Sequence, residues 1–318
     1  MPAPAAVSEK LTRALERAWE VRGGFPCVLA VDRPRDTVPV SVTGTACALN
    51  CAHCGGHYLK NMRGPGDVPV PGAPSYLVSG GCDGGGKVPL HRNLDLLARL
   101  RATGARLNLH TGLVAEEEAR LLAPYGAVAS LDWAVHAPTV REVTGLEAGP
   151  EDYLRTYRAL ARNLPVVPHI CVGLRGGSIQ GEWEAIEALV ELGPAAVVFL
   201  VFMPTPGTRY ENCAPPDPEA VAVLLAYART RLPGAEIALG CMRPRGAYRQ
   251  RLDPLAVAAG VNRIVMPAPS ARREAVARGL SLVETRECCA LGTVAPPTPG
   301  TGTSDGPAQP GRRGRVAG

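Results

Sequence analysis

Val40-Ser-Val-Thr43-Gly-Thr-Ala-Cys47-Ala-Leu-Asn-Cys51-Ala-His-Cys54-Gly-Gly56 is the stretch on which the reading of this 318-residue chain turns. A short apolar run ends in a loop that carries three thiols at C-x3-C-x2-C spacing. Such a set can hold three irons of a cubane [4Fe–4S] cluster and leave the fourth iron without a protein ligand. An open iron is a reaction site, whereas a fully ligated cluster passes electrons or holds the fold together. A structural cluster is one alternative. A zinc site is another, with His53 or His57 as the fourth ligand.

Outward from this loop, short apolar runs alternate with helical patterns. Candidate strands are Val40–Thr43, Ser75–Ser79, Arg106–His110, Val128–Trp133, Val166–Val172, Val197–Met203, Glu236–Leu239 and Arg263–Met266. Most are rich in Val, Leu and Ile without alternation, as expected of parallel strands buried on both faces. Helical patterns cover Asn93–Ala102, Glu116–Ala123, Tyr153–Leu164, Gly181–Leu192 and Pro218–Arg231. The last has Asp217 as N-cap, Pro218 in the first turn and an apolar stripe of Val221, Leu224, Leu225 and Ala228. Eight strands alternating with helices predict an α/β fold, a (βα)8 TIM-like barrel over residues 39–290 with active residues at the C-terminal strand ends. A doubly wound open sheet is the alternative. Residues 1–38 read as a helical extension, in which Ser8–Val21 places Leu11, Leu15 and Trp19 on one face. Residues 291–318, rich in Pro, Gly, Ser and Thr, read as a disordered tail.

Composition narrows the function. A 46% apolar, 20% charged chain supports a sizeable core and excludes global disorder. The net charge of +5, part of it in the tail, and the small total of 14 aromatics give no basic, stacking surface for nucleic acid. No membrane span or signal peptide is evident, so a cytoplasmic protein is expected. In a reducing compartment the ten cysteines read as metal-binding or catalytic before disulfide-forming. Cys27 and Cys213 lie in loop-like sequence and receive no role.

The cysteine loop resembles the signature of the radical S-adenosylmethionine (SAM) superfamily, with His53 where an aromatic usually precedes the third cysteine. The resemblance implies that Cys47, Cys51 and Cys54 hold a [4Fe–4S] cluster whose open iron chelates SAM. Four further segments are similar to the biotin-synthase-like branch and imply a complete barrel. Ser79-Gly80-Gly81-Cys82-Asp83 resembles a Gly-Gly-Glu-like segment that binds the methionine amino group, with Cys82 in place of the acid. Ser130-Leu-Asp132 resembles a ribose-binding Asn-Leu-Asp, and His136 follows it as a candidate cofactor contact. Cys171-Val-Gly173-Leu-Arg-Gly-Gly and Phe202-Met203-Pro-Thr-Pro-Gly-Thr resemble the branch's later glycine-rich segments.

Cys82, Cys171 and Cys241 fall at C-terminal ends of candidate strands, and in a barrel such ends converge. By the same resemblance they imply an auxiliary Fe–S cluster, with Arg243 as a late-strand partner and Cys288-Cys289 closing over the barrel mouth. The alternative is that they are buried small apolar residues. An auxiliary cluster beside a substrate radical can donate sulfide, so the implied activity is sulfur insertion, with Cys82, Cys171 and Arg243 as catalytic residues. The Glu-Cys-Cys ending and the cysteine loop look similar to a two-component lipoyl synthase. That implies an octanoylated lipoyl carrier protein or peptide as substrate, a second radical SAM subunit and an electron donor such as ferredoxin. A radical methyltransferase or mutase, or a non-catalytic Fe–S electron carrier, are the alternatives.

Overall fold

A computed structural model describes residues 9–293 of the chain. Of the tail expected over residues 291–318, the part from 294 onward lies outside the described residues, while Leu291 and Gly292 belong to a short closing helix. Ten strands form one all-parallel sheet in the order β10-β1-β9-β8-β7-β6-β5-β4-β3-β2. They are β1 Val28–Asp32, β2 Thr37–Ser41, β3 Ser75–Ser79, β4 Arg106–His110, β5 Val128–Asp132, β6 Val166–Val172, β7 Ala196–Val201, β8 Glu236–Leu239, β9 Arg263–Val265 and β10 Ser281–Thr285. The helices are α1 Glu9–Arg22, α2 Leu94–Ala102, α3 Glu116–Leu122, α4 Ala137–Thr144, α5 Pro150–Ala161, α6 Glu182–Val190, α7 Pro218–Arg231, α8 Ala247–Ala258, α9 Pro269–Ala277 and α10 Cys289–Gly292. The barrel-like α/β architecture is as expected, with two strands more than the eight counted.

Both extra strands lie at one end of the sheet. β1 pairs with β9 and β10, so the sheet begins inside the segment assigned to a helical extension. Among the described residues of that segment only α1 is helical, and it packs outside the sheet against α7 and α8. No ladder joins edge strands β2 and β10 among the described residues. The chain after β10 bridges them instead: Asp36 N–H donates to the Arg286 carbonyl at 3.0 Å, and Cys288 N–H to the Thr37 hydroxyl at 2.7 Å.

Alternation along the strands sets the two faces. Leu107, Leu109, Ala129, Leu131, Ile170, Val197 and Phe199 pack outward under the helices. Val128, Val167, Ala196, Val198, Ala238 and Val265 turn inward with Cys289, Ala290 and Leu291, so α10 plugs the lumen near the strand starts. Arg106 donates to the Leu291 carbonyl at 2.7 Å and Arg263 to the Gly292 carbonyl at 2.8 Å. Arg263 also pairs with buried Asp32 at 2.6 Å and with Glu236 at 3.0 Å. These bonds satisfy two C-terminal carbonyls that an isolated helix end would leave open. Because the plug closes one end, a ligand has the opposite end, where the strands finish. No helix among the described residues is long and apolar enough to cross a membrane.

Candidate active site at the strand C-terminal ends

A cavity of ≈ 330 Å³ opens at the C-terminal strand ends, lined by Cys47, Cys51 and Cys54 together with Gly80, Gly81, Cys82, Asp132 and Cys171. The cysteine loop leaves β2 and is pinned from three sides. Ala52, fully buried, donates to the Val143 carbonyl at 2.7 Å and accepts from Tyr210 N–H at 3.0 Å. Thr43 Oγ1 accepts Gly81 N–H at 2.7 Å, and Ala48 N–H donates to the Cys82 carbonyl at 2.8 Å. Gly55 and Gly56 take positive φ of 48° and 73°, which turns the chain back after Cys54 at no Cβ cost.

Gly81 admits no side chain. A Cβ there would lie 2.0 Å from the Ala46 carbonyl oxygen and 2.6 Å from Cys47 Cα. The glycine run after β3 is therefore a contact surface for the cysteine loop, which a plain turn would not require.

Charge is arranged unevenly among the thiols. The Cys51 thiol is within hydrogen-bonding reach of Cys54, which raises Cys51 and brings Cys54 down to about 7. Within this pair Cys54 has the greater thiolate character, the form that binds metal. Cys47 donates to the Leu49 carbonyl at 3.2 Å. Burial, reinforced by nearby Cys47 and Asp132, pushes the Cys82 thiol up to about 12. Burial also raises Cys171.

Among the described residues, no three His, Cys, Asp or Glu side chains converge as ligands of one metal ion. A zinc knuckle at residues 47–57 would draw four donors onto one point. A cubane sets a weaker demand, because each thiolate binds a different iron. Three further observations fit a cluster here: the thiols line one cavity, Gly81 keeps its wall at backbone distance, and His53 Nδ1 is buried without a partner. Burial lowers the His53 imidazole, and the ring lines the cavity.

The remaining predicted residues divide. Asp132 ends β5 inside the cavity. His136 does not line it; its Nδ1 meets Thr139 Oγ1 at 2.8 Å in a separate small pocket beside Trp133 and Gly181. Gly173, at φ 74°, donates to Glu182 Oε1 at 2.7 Å and shapes the turn after β6. Met203 is absent from the lining, and Met242 lines the cavity in its stead.

Arg243 is a correction. It is fully buried and bidentate on Asp253, with two contacts of 2.9 Å, so its charge is spent inside the protein rather than offered to a substrate. Cys288-Cys289 is a second. The pair enters from the plugged end, with Asn108 Nδ2 at 3.5 Å from Cys288 Sγ and Cys289 packed among residues near the strand starts. Cys241 is exposed, has Cys288 as an electrostatic neighbour and does not line the cavity that holds Cys82 and Cys171. The five cysteines expected for an auxiliary cluster are therefore not gathered at one point.

Sequence reasoning passed over His110 and His169, whose rings meet edge-on at 5.1 Å within the lining. His169 Nδ1 donates to the Val167 carbonyl at 2.9 Å, leaving Nε2 as an acceptor. Burial pushes both imidazoles down to about 4, so both are neutral. Tyr58, held by Thr205 at 3.0 Å, and Tyr153 complete the polar lining. The phase of β6 held the signal: His169 stands two residues before Cys171, on the same face.

No protein-family model matches the chain, and no curated protein matches it in sequence. The fold is similar to that of a methylornithine synthase (PylB), with a TM-score of 0.60 at 15% identity over 87% of this chain and 90% of that one. It is also similar to the FeFe-hydrogenase maturase HydG from Carboxydothermus hydrogenoformans, at 0.63 and 14% identity over 89% and 76%. A further HydG structure gives 0.59 at 13% identity, over 89% of this chain and 69% of that one. At such identities the likeness shows the fold.

Proposed function

We propose that the chain is a radical SAM enzyme, carrying a [4Fe–4S] cluster on Cys47, Cys51 and Cys54. One observation carries the reading: all three thiols line a single cavity with Gly80, Gly81 and Asp132 at the C-terminal strand ends. The synthase and maturase folds named above support an enzyme in this architecture. When bound, cluster and cofactor would supply a 5′-deoxyadenosyl radical able to take hydrogen from an unactivated carbon.

The chain's own residues would do the rest. Cys47, Cys51 and Cys54 would each bind iron as the thiolate and release a proton on ligation. Asp132 offers a carboxylate to the cofactor's hydroxyls. Trp133, Leu146 and Leu200 exclude water around the reacting carbon.

The narrower reading is sulfur insertion into an octanoyl chain on a carrier protein, with a second radical SAM subunit and a ferredoxin-like donor. It keeps one supporting observation, the Cys171 thiol on the cavity wall. Two others weigh against it. The expected auxiliary ligands stand apart, and an alkyl chain beside His110 and His169 would leave buried imidazole nitrogens unpaired. A methyltransferase or mutase reaction needs no auxiliary cluster and fits the thiol placement better.

The test is anaerobic reconstitution of the wild type and of the Cys47/Cys51/Cys54→Ala protein. The wild type should bind about four irons and the variant none, and SAM should alter the wild-type cluster spectrum and yield 5′-deoxyadenosine with a reductant. Full iron in the variant, or a spectrum indifferent to SAM, would defeat the reading. A sulfurated product from an octanoyl peptide would restore the narrower one.

A further inference from the structure

Cys82, expected in an auxiliary set, lines the cavity that holds Cys47, Cys51 and Cys54. It belongs to the wall that carries the cysteine loop. Its carbonyl holds Ala48 N–H at 2.8 Å, and its neighbour Gly81 abuts Ala46 and Cys47 with no room for a Cβ. Loop and wall are thus one unit, and residue 82 cannot drift away from the loop without breaking both contacts. The thiol lines the same cavity as Cys47, Cys51 and Cys54, and no hydrogen bond occupies it among the described residues. Part of the side chain also packs against the apolar cluster around Val40 and Tyr76. Cys171, the other thiol in the lining, belongs to β6 across the lumen. Asp132 stands near both thiols, with Glu182 near Cys171 and Cys47 and Cys54 near Cys82.

We infer that Cys82 is the fourth thiolate ligand of the cluster held by Cys47, Cys51 and Cys54, so that the protein without SAM caps its own open iron. The inference rests on the proposed function, since it needs the three-thiol cluster to exist. Iron takes thiolate sulfur readily, and four cysteines complete a [4Fe–4S] site. Ligation releases the Cys82 proton to solvent as the Fe–S bond forms, and displacement by the amino and carboxylate groups of SAM allows the thiolate to take a proton back. No oxidant or reductant is consumed. Capping would keep water and oxygen from the fourth iron until the cofactor arrives. It would also weaken apparent SAM binding, because the cofactor must first displace the thiolate.

Oxidative loss of the fourth iron reads this ligation without any turnover. The full chain is reconstituted anaerobically as wild type, Cys82→Ala, Cys82→Ser and Cys171→Ala, then treated with ferricyanide in the absence of SAM. Electron paramagnetic resonance and iron analysis follow conversion to a three-iron cluster. An iron without a protein ligand is the one released, so Cys82→Ala should lose about one iron of four and show a three-iron signal several-fold above wild type. Wild type and Cys171→Ala should resist, and Cys82→Ser, with a poorer oxygen ligand, should fall between. Equal conversion of wild type and Cys82→Ala overturns the inference while leaving the three-thiol cluster standing. Full iron in the Cys47/Cys51/Cys54→Ala protein overturns both. Should Cys82→Ala fail to fold by circular dichroism, Cys82→Ser decides: conversion equal to wild type counts against ligation, and greater conversion supports it.

Discussion

The Thr43 hydroxyl accepts the Gly81 amide hydrogen at 2.7 Å, joining the start of the cysteine loop to the glycine wall across from it. Replacing the hydroxyl by methyl in Thr43→Val keeps the side-chain volume and strands a buried N–H, at a cost of about 1–3 kcal/mol. We expect Thr43→Val to lower the thermal midpoint by several degrees and to loosen SAM binding, both measurable on reconstituted protein. An unchanged midpoint would mean that water replaces the hydroxyl and that the wall does not depend on it.

Gly81→Ala attacks the same joint by sterics. Of the three atoms that the new Cβ would strike, two belong to backbone and the third is the Cys47 Cβ, so none can rotate aside. Overpacking of this kind costs about 1–3 kcal/mol, and here it would fall on the segment that presents Cys47. Iron content after reconstitution should drop well below wild type. Gly84→Ala is the control, because nothing lies within 4 Å of a Cβ at that position. Equal iron in both variants would show that the loop can retreat.

Much of this arrangement was legible in the chain, and the failures have physical causes. Runs such as Val166–Val172 and Val197–Met203 are apolar on both faces, so they read as strands wherever they occur. β10, Ser281-Leu-Val-Glu-Thr, is an edge strand with exposed polar positions, and it reads as loop. β1 and β2 follow one another with no helix between them yet lie on opposite sides of the sheet, so counting strand–helix alternations misses β1. Arg243 failed for a different reason. Nothing local distinguishes an arginine that meets a ligand from one that meets Asp253 ten residues later. His110 and His169 could have been found by following alternation from Asp132 and Cys171, because each barrel strand shows every second residue to the lumen.

The two neutral imidazoles set a pH dependence. Unfolded histidines take up protons near their ordinary value of about 6.5, whereas His110 and His169 resist until about 4. Between these values the unfolded chain binds more protons, so stability is complete above about 6.5 and declines as pH falls toward about 4. Denaturant midpoints across this range should slope for the wild type and flatten in a His110→Gln/His169→Gln protein. A flat wild-type profile would show that the rings are protonated in the fold.

Arg243 and Asp253 provide the sharpest contrast between a structural and a catalytic role. Both side chains are fully buried, and Asp253 Oδ2 also accepts Ala268 N–H at 2.8 Å. Arg243→Met should cost about 3–5 kcal/mol, because it leaves the Asp253 charge buried and unpaired. Adding Asp253→Leu removes that charge and should recover part of the loss. Recovery stays partial, since the Gly240 carbonyl loses its 2.6 Å donor and Ala268 N–H its acceptor. Urea denaturation of wild type, single and double variants measures the coupling, and the cluster spectrum of each reconstituted protein measures the other possibility. A double variant that regains stability with a wild-type spectrum assigns Arg243 to the fold. A single variant as stable as wild type but altered in its cluster spectrum would return the guanidinium to the active site.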